Sequence, residues 1–164
     1  MNNIILCGFM GAGKSVVGRE LAKIMGCRFV DTDELIEKEQ GIAVKAIFAV
    51  RGEEYFRELE YELCKKLAAT KNSVISTGGG TLTFQRNADE LKKGRGKIVF
   101  LDASFEVICE RIGDNSTRPL FKDLESARAL YEERRKKYLA VSDYVIDGDM
   151  SARKAAITIS QIFK

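Results

Sequence analysis

A glycine-rich stretch near the N-terminus places a lysine and a hydroxyl beside a turn with few side chains. Residues 8–15 read GFMGAGKS, which matches the pattern G-x-x-x-x-G-K-S with Gly8, Gly13, Lys14 and Ser15 in its fixed positions. Glycines accept positive φ angles, so successive backbone N–H groups can turn inward around an anion. The stretch, here called the phosphate loop, is therefore predicted to bind a nucleotide polyphosphate. The alternative is a plain glycine-rich turn with an exposed lysine.

The residues of the phosphate loop have different expected contacts. Lys14 is expected to reach the β- and γ-phosphates of the nucleotide, and the Ser15 hydroxyl to coordinate Mg²⁺. The N-terminus of the helix that follows adds unpaired N–H donors for phosphate oxygens. The nucleotide-binding residues predicted here are Gly11, Ala12, Gly13, Lys14, Ser15 and Val16.

A second stretch places two carboxylates at the end of a predicted strand. Asp31 and Asp33 lie two residues apart in FVDTDELIEK, so in an extended backbone their side chains share one face. One carboxylate could hold Mg²⁺ through water while the other meets an acceptor hydroxyl. Alternatively, Asp33 or Thr32 caps the helix that follows. The spacing alone does not choose between these interpretations.

Three further stretches carry residues that suit a ligand site. In GEEYFRELE (52–60), Glu60 lies three residues after Arg57 on a predicted helix, where it could hold the guanidinium or form an ordinary surface pair. STGGGTL (76–82) has three glycines after a predicted strand, typical of a close backbone approach to a ligand or of a flexible turn. The third stretch is NSTRPLF (115–121).

Composition excludes several other chemistries. The chain has no histidine, which removes histidine-based nucleophile triads and the commonest zinc ligand. Its four cysteines form no CxxC pair, so we expect reduced core residues and no zinc site. A net charge of +3 is too weak to indicate a nucleic-acid partner.

The hydropathy pattern indicates a single domain in the cytoplasm. The 164 residues are close to the prior of roughly 150 per domain, and no composition shift marks a linker. No apolar stretch approaches the roughly 20 residues of a transmembrane helix. The N-terminus lacks the positive region of a signal peptide. We therefore expect no membrane partner, and a monomer because no exposed apolar stripe stands out.

The elements that must position these residues alternate between short apolar strands and longer segments of helical period. Such alternation predicts an α/β fold, a doubly wound three-layer sandwich with a five-stranded parallel sheet. Strands are predicted at residues 3–7, 28–31, 73–76, 97–101 and 143–146. Helices are predicted at residues 14–25, 33–40, 43–69 with a break near 51–52, 83–93, 105–111, 124–141 and 151–163.

Taken in order, the stretches GFMGAGKS, DTD, GEEYFR, GGG and TRPL resemble the shikimate kinase family, whose fold is that of P-loop nucleoside monophosphate kinases. The resemblance spans nearly the whole chain. It implies an ATP-dependent kinase, using Mg²⁺, that phosphorylates the 3-hydroxyl of shikimate in aromatic amino acid biosynthesis. It also implies a substrate-binding segment at about residues 33–60 and a lid at about residues 112–122.

The resemblance assigns the reacting groups. Asp33 is similar to the residue that contacts the reacting hydroxyl of shikimate, and Asp31 to the acid that binds Mg²⁺ through water. Arg118 in TRPL resembles the lid arginine that closes over the phosphates. Arg111 lies where the family stacks an arginine on adenine. Lys14, Asp33 and Arg118 are thus the expected catalytic residues.

The resemblance also assigns the substrate pocket. Arg57 is similar to the arginine that grips the shikimate carboxylate, and residues 78–80 (Gly78, Gly79 and Gly80) to the glycines that line the pocket. A second carboxylate-binding arginine stands four residues before a tyrosine in the family. Arg134 has that spacing in RRKKY, although lysines replace the proline and apolar residue that usually precede the tyrosine, and Arg135 is a rival. Val16 stands where the family usually has threonine, and we expect little loss of function from this difference because Ser15 already supplies the hydroxyl for Mg²⁺.

Two other functions remain as alternatives. A related small-molecule kinase acting on gluconate or on a nucleoside monophosphate would share the phosphate loop but would not account for GEEYFR, GGG and TRPL together. A nucleotide-binding regulatory module would bind ATP and have no acceptor. Shikimate and ATP are the expected small-molecule partners.

Overall fold

The computed structural model describes residues 1–113 and 123–164. Its strands form one parallel sheet in the order β2-β3-β1-β4-β5. The strands are β1 (Ile4–Cys7), β2 (Arg28–Asp31), β3 (Ser73–Ser76), β4 (Lys97–Asp102) and β5 (Tyr144–Asp147). The predicted doubly wound α/β fold with a five-stranded parallel sheet is confirmed.

Helices connect the strands, and a short 3-10 helix (Thr81–Thr83) follows β3. The α-helices among the described residues are α1 (Lys14–Met25), α2 (Thr32–Gln40), α3 (Val44–Arg51), α4 (Glu53–Ala68), α5 (Gln85–Lys93), α6 (Phe105–Ile112), α7 (Leu124–Val141) and α8 (Ala152–Ile162). The predicted break near residues 51–52 is confirmed, since Gly52 separates α3 from α4 with a φ of 87°.

Several predicted boundaries are wrong by one or two residues, and side-chain hydrogen bonds explain two of these differences. The helix predicted to start at Thr83 starts at Gln85, because Thr83 closes the 3-10 turn through a hydrogen bond from its hydroxyl to the Gly80 carbonyl (2.6 Å). The strand predicted from Asp143 begins at Tyr144. Asp143 instead accepts the Ile98 N–H with its side chain (2.8 Å) and so marks the start of the pairing with β4.

The core lies on both faces of the sheet. Every residue of β1 and β3 is buried, although successive side chains of a strand point to opposite faces. Such continuous burial requires helices above and below the sheet. Helix α1 packs against α8, and α4 packs against α5. None of the helices described is long and apolar enough to cross a membrane.

The strand order creates a crevice at one edge of the sheet. β1 lies between β3 and β4, and the chain leaves β1 toward β2 on one side but leaves β3 toward β4 on the other. The carboxyl ends of β1 and β3 therefore flank a topological switch point, where α/β sheets bind ligands. The phosphate loop follows β1, and the three glycines follow β3.

Candidate active site

The phosphate loop connects β1 to α1, which confirms its predicted strand-loop-helix setting. Gly11 and Gly13 have φ angles of 81° and 92°, which residues with a side chain rarely adopt. Lys14 is the first residue of α1, and its Nζ donates to the carbonyls of Gly8 (2.7 Å) and Phe9 (3.1 Å). The loop thus curves around its own lysine at the amino end of a helix.

A cleft of about 290 Å³ opens beside this loop. It brings the ends of three strands together, because the loop after β1, the acids after β2 and the glycines after β3 all line it. The lining residues are Met10, Gly11, Gly13, Lys14, Ser15, Val16, Asp31, Asp33, Ser76, Thr77, Gly78 and Gly79. The first two motifs and the glycines therefore share one site.

Ser15 and Asp31 form a paired oxygen site at the mouth of the loop. The Ser15 hydroxyl donates to Asp31 Oδ2 at 2.7 Å, and Asp31 Oδ1 accepts the Glu34 N–H at 3.1 Å. Asp31 is therefore the N-cap of α2, and the alternative that Asp33 or Thr32 caps this helix is wrong. A hydroxyl and a carboxylate are oxygen donors of the kind that Mg²⁺ prefers, so the pair fits that ion.

Mg²⁺ at this position would need further ligands from outside the protein. Across residues 1–113 and 123–164, no group of three or more histidine, cysteine, aspartate or glutamate side chains could hold a metal alone. Mg²⁺ typically combines one or two protein oxygens with substrate phosphates and water. Ser15 and Asp31 next to a phosphate loop suit that mode of binding.

The Asp33 carboxylate lies over the backbone of Gly78. A Cβ at Gly78 would stand 2.6 Å from Asp33 Oδ1, which leaves room for glycine alone unless Asp33 moves. Asp33 Oδ1 is buried and has no hydrogen-bond partner among the described residues. Burial, then the nearby charges of Glu60 and Asp31, raise the pKa of Asp33 to about 6. A buried acceptor without a donor is prepared for a ligand hydroxyl.

Arg57 is a braced guanidinium and not a surface side chain. Its Nη1 donates to Glu60 Oε1 at 2.6 Å, and Nη2 contacts Glu53 at 3.3 Å. The Arg57 side chain is 13% exposed and that of Glu60 only 1%. The Thr81 hydroxyl donates to the second carboxylate oxygen of Glu60. The alternative of a solvated surface pair is therefore wrong.

Three aromatic rings surround the same guanidinium. The Arg57 Cζ atom lies 5.8 Å from the ring centre of Phe48, 5.4 Å from that of Phe56 and 5.1 Å from that of Phe84. Cation–π contacts of this kind fix the plane of a guanidinium and exclude water around it. Arg57 is thus pre-oriented in a partly apolar setting, where a carboxylate partner would be bound strongly.

The three glycines act as a common support, here called the glycine shelf (Gly78–Gly80). A functional side chain approaches each of its residues. The distances from a built Cβ to the nearest side-chain atom are 2.6 Å for Asp33 over Gly78, 3.4 Å for Arg134 over Gly79 and 2.6 Å for Arg57 over Gly80. Close approach explains Gly78 and Gly80, whereas a Cβ at Gly79 would make only ordinary van der Waals contact.

The neighbouring arginines on α7 have different partners. Arg135 forms a two-point ion pair with Asp102, with Nε to Oδ1 at 2.9 Å and Nη2 to Oδ2 at 2.7 Å. Arg134 faces the glycine shelf, and its Cζ lies 6.0 Å from the ring centre of Phe9. The geometry therefore favours Arg134 over Arg135 as the second cation beside Arg57.

Arg111 joins the phosphate loop to the segment after β5. Its guanidinium donates to the carbonyls of Ala12 (3.0 Å), Gly148 (2.7 Å) and Met150 (3.3 Å). A cavity of about 270 Å³ beside it is bordered largely by small and apolar side chains. Among the residues around this cavity are Ala12, Val16, Val17, Leu101, Met150 and Ala155. Such a slot suits a planar base next to a guanidinium.

One predicted catalytic residue cannot be compared with the structure. Arg118 lies in residues 114–122, the part of the predicted lid that is outside the described residues. The part of that segment that is described consists of Ile112, which ends α6, and Gly113, its C-cap.

Sequence reasoning missed contacts that join distant parts of the chain. Thr81 supports Glu60, and Tyr138 donates its hydroxyl to the Gly79 carbonyl. A signal for Tyr138 was present, because it follows Arg134 by four residues and residues at that spacing share one face of a helix. The contact of Phe84 with Arg57 also had a signal in the sequence, because Phe84 is an aromatic residue shortly after the glycines.

The chain matches the family model described as shikimate kinase over residues 10–164. It is 43% identical over 159 residues to the shikimate kinase of Helicobacter hepaticus, covering 95% of this chain and 92% of that protein. Among solved structures, it resembles the shikimate kinase of Acinetobacter baumannii in complex with shikimate. That likeness has a TM-score of 0.91 and 36% identity, over 99% of this chain and 93% of the other.

A more distant likeness shows the fold alone. The gluconokinase of Sinorhizobium meliloti is 17% identical with a TM-score of 0.57, over 99% of this chain and 95% of the other. This level of identity carries no argument about the acceptor, whereas the family match and the nearer relatives agree with one another. The chain belongs to the shikimate kinase family.

Proposed function

We propose that this protein transfers the γ-phosphoryl group of ATP to the 3-hydroxyl of shikimate and produces shikimate 3-phosphate. The observation that carries the proposal is the placement of Asp33 and Arg57 on one glycine shelf, beside the phosphate loop. Shikimate has both a carboxylate and ring hydroxyls. A carboxylate oxygen of Asp33 that has no donor among the described residues, and the braced guanidinium of Arg57, are complementary to those groups.

The acceptor is bound by its two polar ends. Arg57 and Arg134 receive the shikimate carboxylate, because both face the glycine shelf and a buried carboxylate needs charge-assisted donors to offset its desolvation. Gly78–Gly80 provide a surface without side chains on which the ring lies. Asp33 accepts the hydrogen of the reacting hydroxyl and orients its oxygen.

The nucleotide lies across the amino end of α1. Residues 11–16 supply N–H groups to the phosphates, and Lys14 moves from the carbonyls of Gly8 and Phe9 to the phosphate oxygens. Arg111 and the adjoining apolar cavity take the adenine. Arg118, from the segment outside the described residues, completes the set as the cation over the phosphates.

Phosphoryl transfer requires mainly that the attacking and leaving oxygens lie in line and that the phosphate charge is neutralised. Asp33 fixes the attacking oxygen, while Lys14 and Arg118 balance the charge that develops on the transferring group. Ser15 and Asp31 would hold Mg²⁺, which neutralises phosphate charge when bound. This division of roles needs no histidine.

The proposal includes a setting for the enzyme. Its product belongs to aromatic amino acid biosynthesis, and we place the protein in the cytoplasm, where its ATP is found. Four unpaired cysteines, Cys7, Cys27, Cys64 and Cys109, are consistent with a reducing compartment. The enzyme works as a monomer, with no nucleic-acid or membrane partner.

A coupled assay of ADP release tests the proposal against its rivals. Shikimate, gluconate, AMP and buffer alone are compared as acceptors at saturating ATP and Mg²⁺. Saturable ADP release with shikimate alone is expected. Saturation with gluconate or AMP instead would assign the chain to a related kinase, and ATP binding without any acceptor dependence would indicate a regulatory module.

A further inference from the structure

Tyr138 lies beneath the glycine shelf, outside the set of residues that face the cleft. Its side chain is 1% exposed, and its hydroxyl donates to the carbonyl of Gly79. The ring packs against Phe100 of β4, with ring centres 5.2 Å apart. A ring held by the core fixes the position of its hydroxyl, so the Gly79 peptide is attached to the sheet through this side chain.

Tyr138 also interacts with the arginine proposed for the carboxylate. Arg134 precedes it by four residues on α7, which places both side chains on one face of the helix. Burial raises the pKa of the Tyr138 hydroxyl, and the nearby positive charge of Arg134 partly opposes that rise. Both side chains meet the same residue of the shelf, since the Tyr138 hydroxyl donates to the Gly79 carbonyl and Nη1 of Arg134 lies 3.4 Å from a Cβ built on Gly79.

The two ends of the shelf have separate supports. The Gly78 N–H donates to the Thr32 hydroxyl at 3.0 Å, next to Asp33 in the chain. Gly80 lies under Arg57, which Glu60 braces at 2.6 Å. Gly79 lies between them, and the Tyr138 hydroxyl is the side-chain donor to its carbonyl. Loss of this hydroxyl would free the middle peptide while both ends stayed held.

We propose that Tyr138 is a positioning residue for acceptor binding, which keeps the Gly79 peptide and the Arg134 guanidinium in a fixed relation. The proposal rests on the proposed function, since it concerns the same acceptor. A carboxylate bound between Arg57 and Arg134 needs both guanidinium groups at set distances, and Tyr138 fixes one of them relative to the shelf. Among the described residues, the hydrogen bond of its hydroxyl goes to Gly79 and not to the phosphate loop or to the Ser15–Asp31 pair.

Tyr138→Phe removes the hydroxyl and keeps the ring. We expect the KM for shikimate to rise about tenfold, the scale of a buried carbonyl that loses its donor. The KM for ATP should stay within about twofold, because the contacts of the phosphate loop do not involve this hydroxyl. Saturation kinetics for both substrates and calorimetric titration with shikimate measure these effects.

Tyr131→Phe is the matched control. Tyr131 lies on the same helix, is also buried, and donates its hydroxyl to the Ala103 carbonyl at 2.7 Å, away from the shelf. Tyr131→Phe loses the same kind of hydrogen bond as Tyr138→Phe, so we expect the melting temperature of both variants to fall by a similar amount. Its KM for shikimate should match that of the wild type. An equal rise in both variants would show a general structural effect and overturn the proposal.

Double variants test the link to Arg134. If Tyr138 acts through that guanidinium, Tyr138→Phe should raise the KM much less in an Arg134→Lys background than in the wild type. Fully additive effects would overturn the link, as would a wild-type KM in the single variant. A wild-type enzyme without shikimate turnover would instead refute the proposed function, and this inference with it.

Discussion

The Arg57 guanidinium rests on the backbone of Gly80, so that a Cβ at this position would lie 2.6 Å from Nη1 and 2.9 Å from Cζ. At Gly79 the nearest atom, Nη1 of Arg134, would be 3.4 Å away, which is ordinary van der Waals contact. Neither glycine has a positive φ. The two adjacent glycines therefore differ in the space that they offer.

Gly80→Ala should push the Arg57 guanidinium away from the shelf without unfolding the protein. We expect the KM for shikimate to rise at least about tenfold, because the carboxylate loses a fixed two-point partner. Gly79→Ala, the matched control, should raise it by less than about threefold. Saturation kinetics and melting temperatures of both variants measure this. A larger defect in Gly79→Ala would contradict the described packing.

Replacing the arginines by lysine tests the carboxylate contacts. Lysine keeps the charge but loses the planar fork, so Arg57→Lys and Arg134→Lys should each weaken shikimate affinity about tenfold, or 1.4 kcal/mol, with ATP affinity unchanged. Calorimetric titration with shikimate provides the measurement.

Arg135→Lys is the control for these variants. Arg135 is paired with Asp102, so this change should alter stability slightly and leave shikimate affinity near the wild-type value. A stronger effect on shikimate from Arg135→Lys than from Arg134→Lys would show that the wrong member of the pair has been assigned.

Asp33 and Asp31 should fail in different ways when each is changed to asparagine. Asp33→Asn keeps the shape but cannot accept a proton, so transfer should fall at least about a hundredfold while ATP binding persists. Asp31→Asn weakens the oxygen pair with Ser15, so the Mg²⁺ concentration for half-maximal rate should increase. Rates measured across a Mg²⁺ titration separate the two. Identical behaviour would refute the division of roles.

The raised pKa of Asp33 predicts a stability effect of defined sign. Its folded pKa of about 6 lies above the ordinary value of 3.8, so the folded protein binds the proton more tightly than the unfolded chain does. Its ionisation therefore costs stability as pH rises from about 4 to 6, and the cost is full above that window. Asp33→Asn should be more stable than wild type by about 3 kcal/mol near neutral pH.

Denaturation of both proteins at several pH values measures this difference. The advantage of Asp33→Asn should shrink as pH falls toward the ordinary carboxyl pKa, where both states hold the proton. A variant less stable than the wild type at neutral pH would mean that the Asp33 carboxylate is stabilised in the fold, contrary to the burial of Oδ1 without a partner in residues 1–113 and 123–164.

Most of the sheet could be predicted because its strands are short apolar runs between helical segments, and β2 and β3 have the predicted bounds. The strand order could not, since local patterns do not say which strands pair. The spacing of Arg57 and Glu60 left a surface pair open, and only the burial of Glu60 beneath Thr81 decides it. Likewise, Arg134 and Arg135 are distinguished by Asp102, which lies on a different element.

The capping of α2 shows a different limit. The sequence offered Thr32 and Asp33 as caps, but Asp31 caps the helix with one oxygen and holds Ser15 with the other. One carboxylate thus accepts hydrogen bonds from two neighbours. An interpretation that gives each residue a single role misses this arrangement. Asp33 Oδ1 has no donor among the residues that the structure describes, and the chemistry proposed for the site depends on that oxygen.

Identification of the product by ³¹P and ¹H NMR tests the central claim most directly. Wild-type protein is incubated with ATP, Mg²⁺ and shikimate, with Asp33→Asn as the matched control. The account predicts a new phosphomonoester resonance coupled to the proton on carbon 3 of shikimate, formed in step with ADP and missing from the control. Release of inorganic phosphate with unmodified shikimate, or an ester at another hydroxyl, would contradict it.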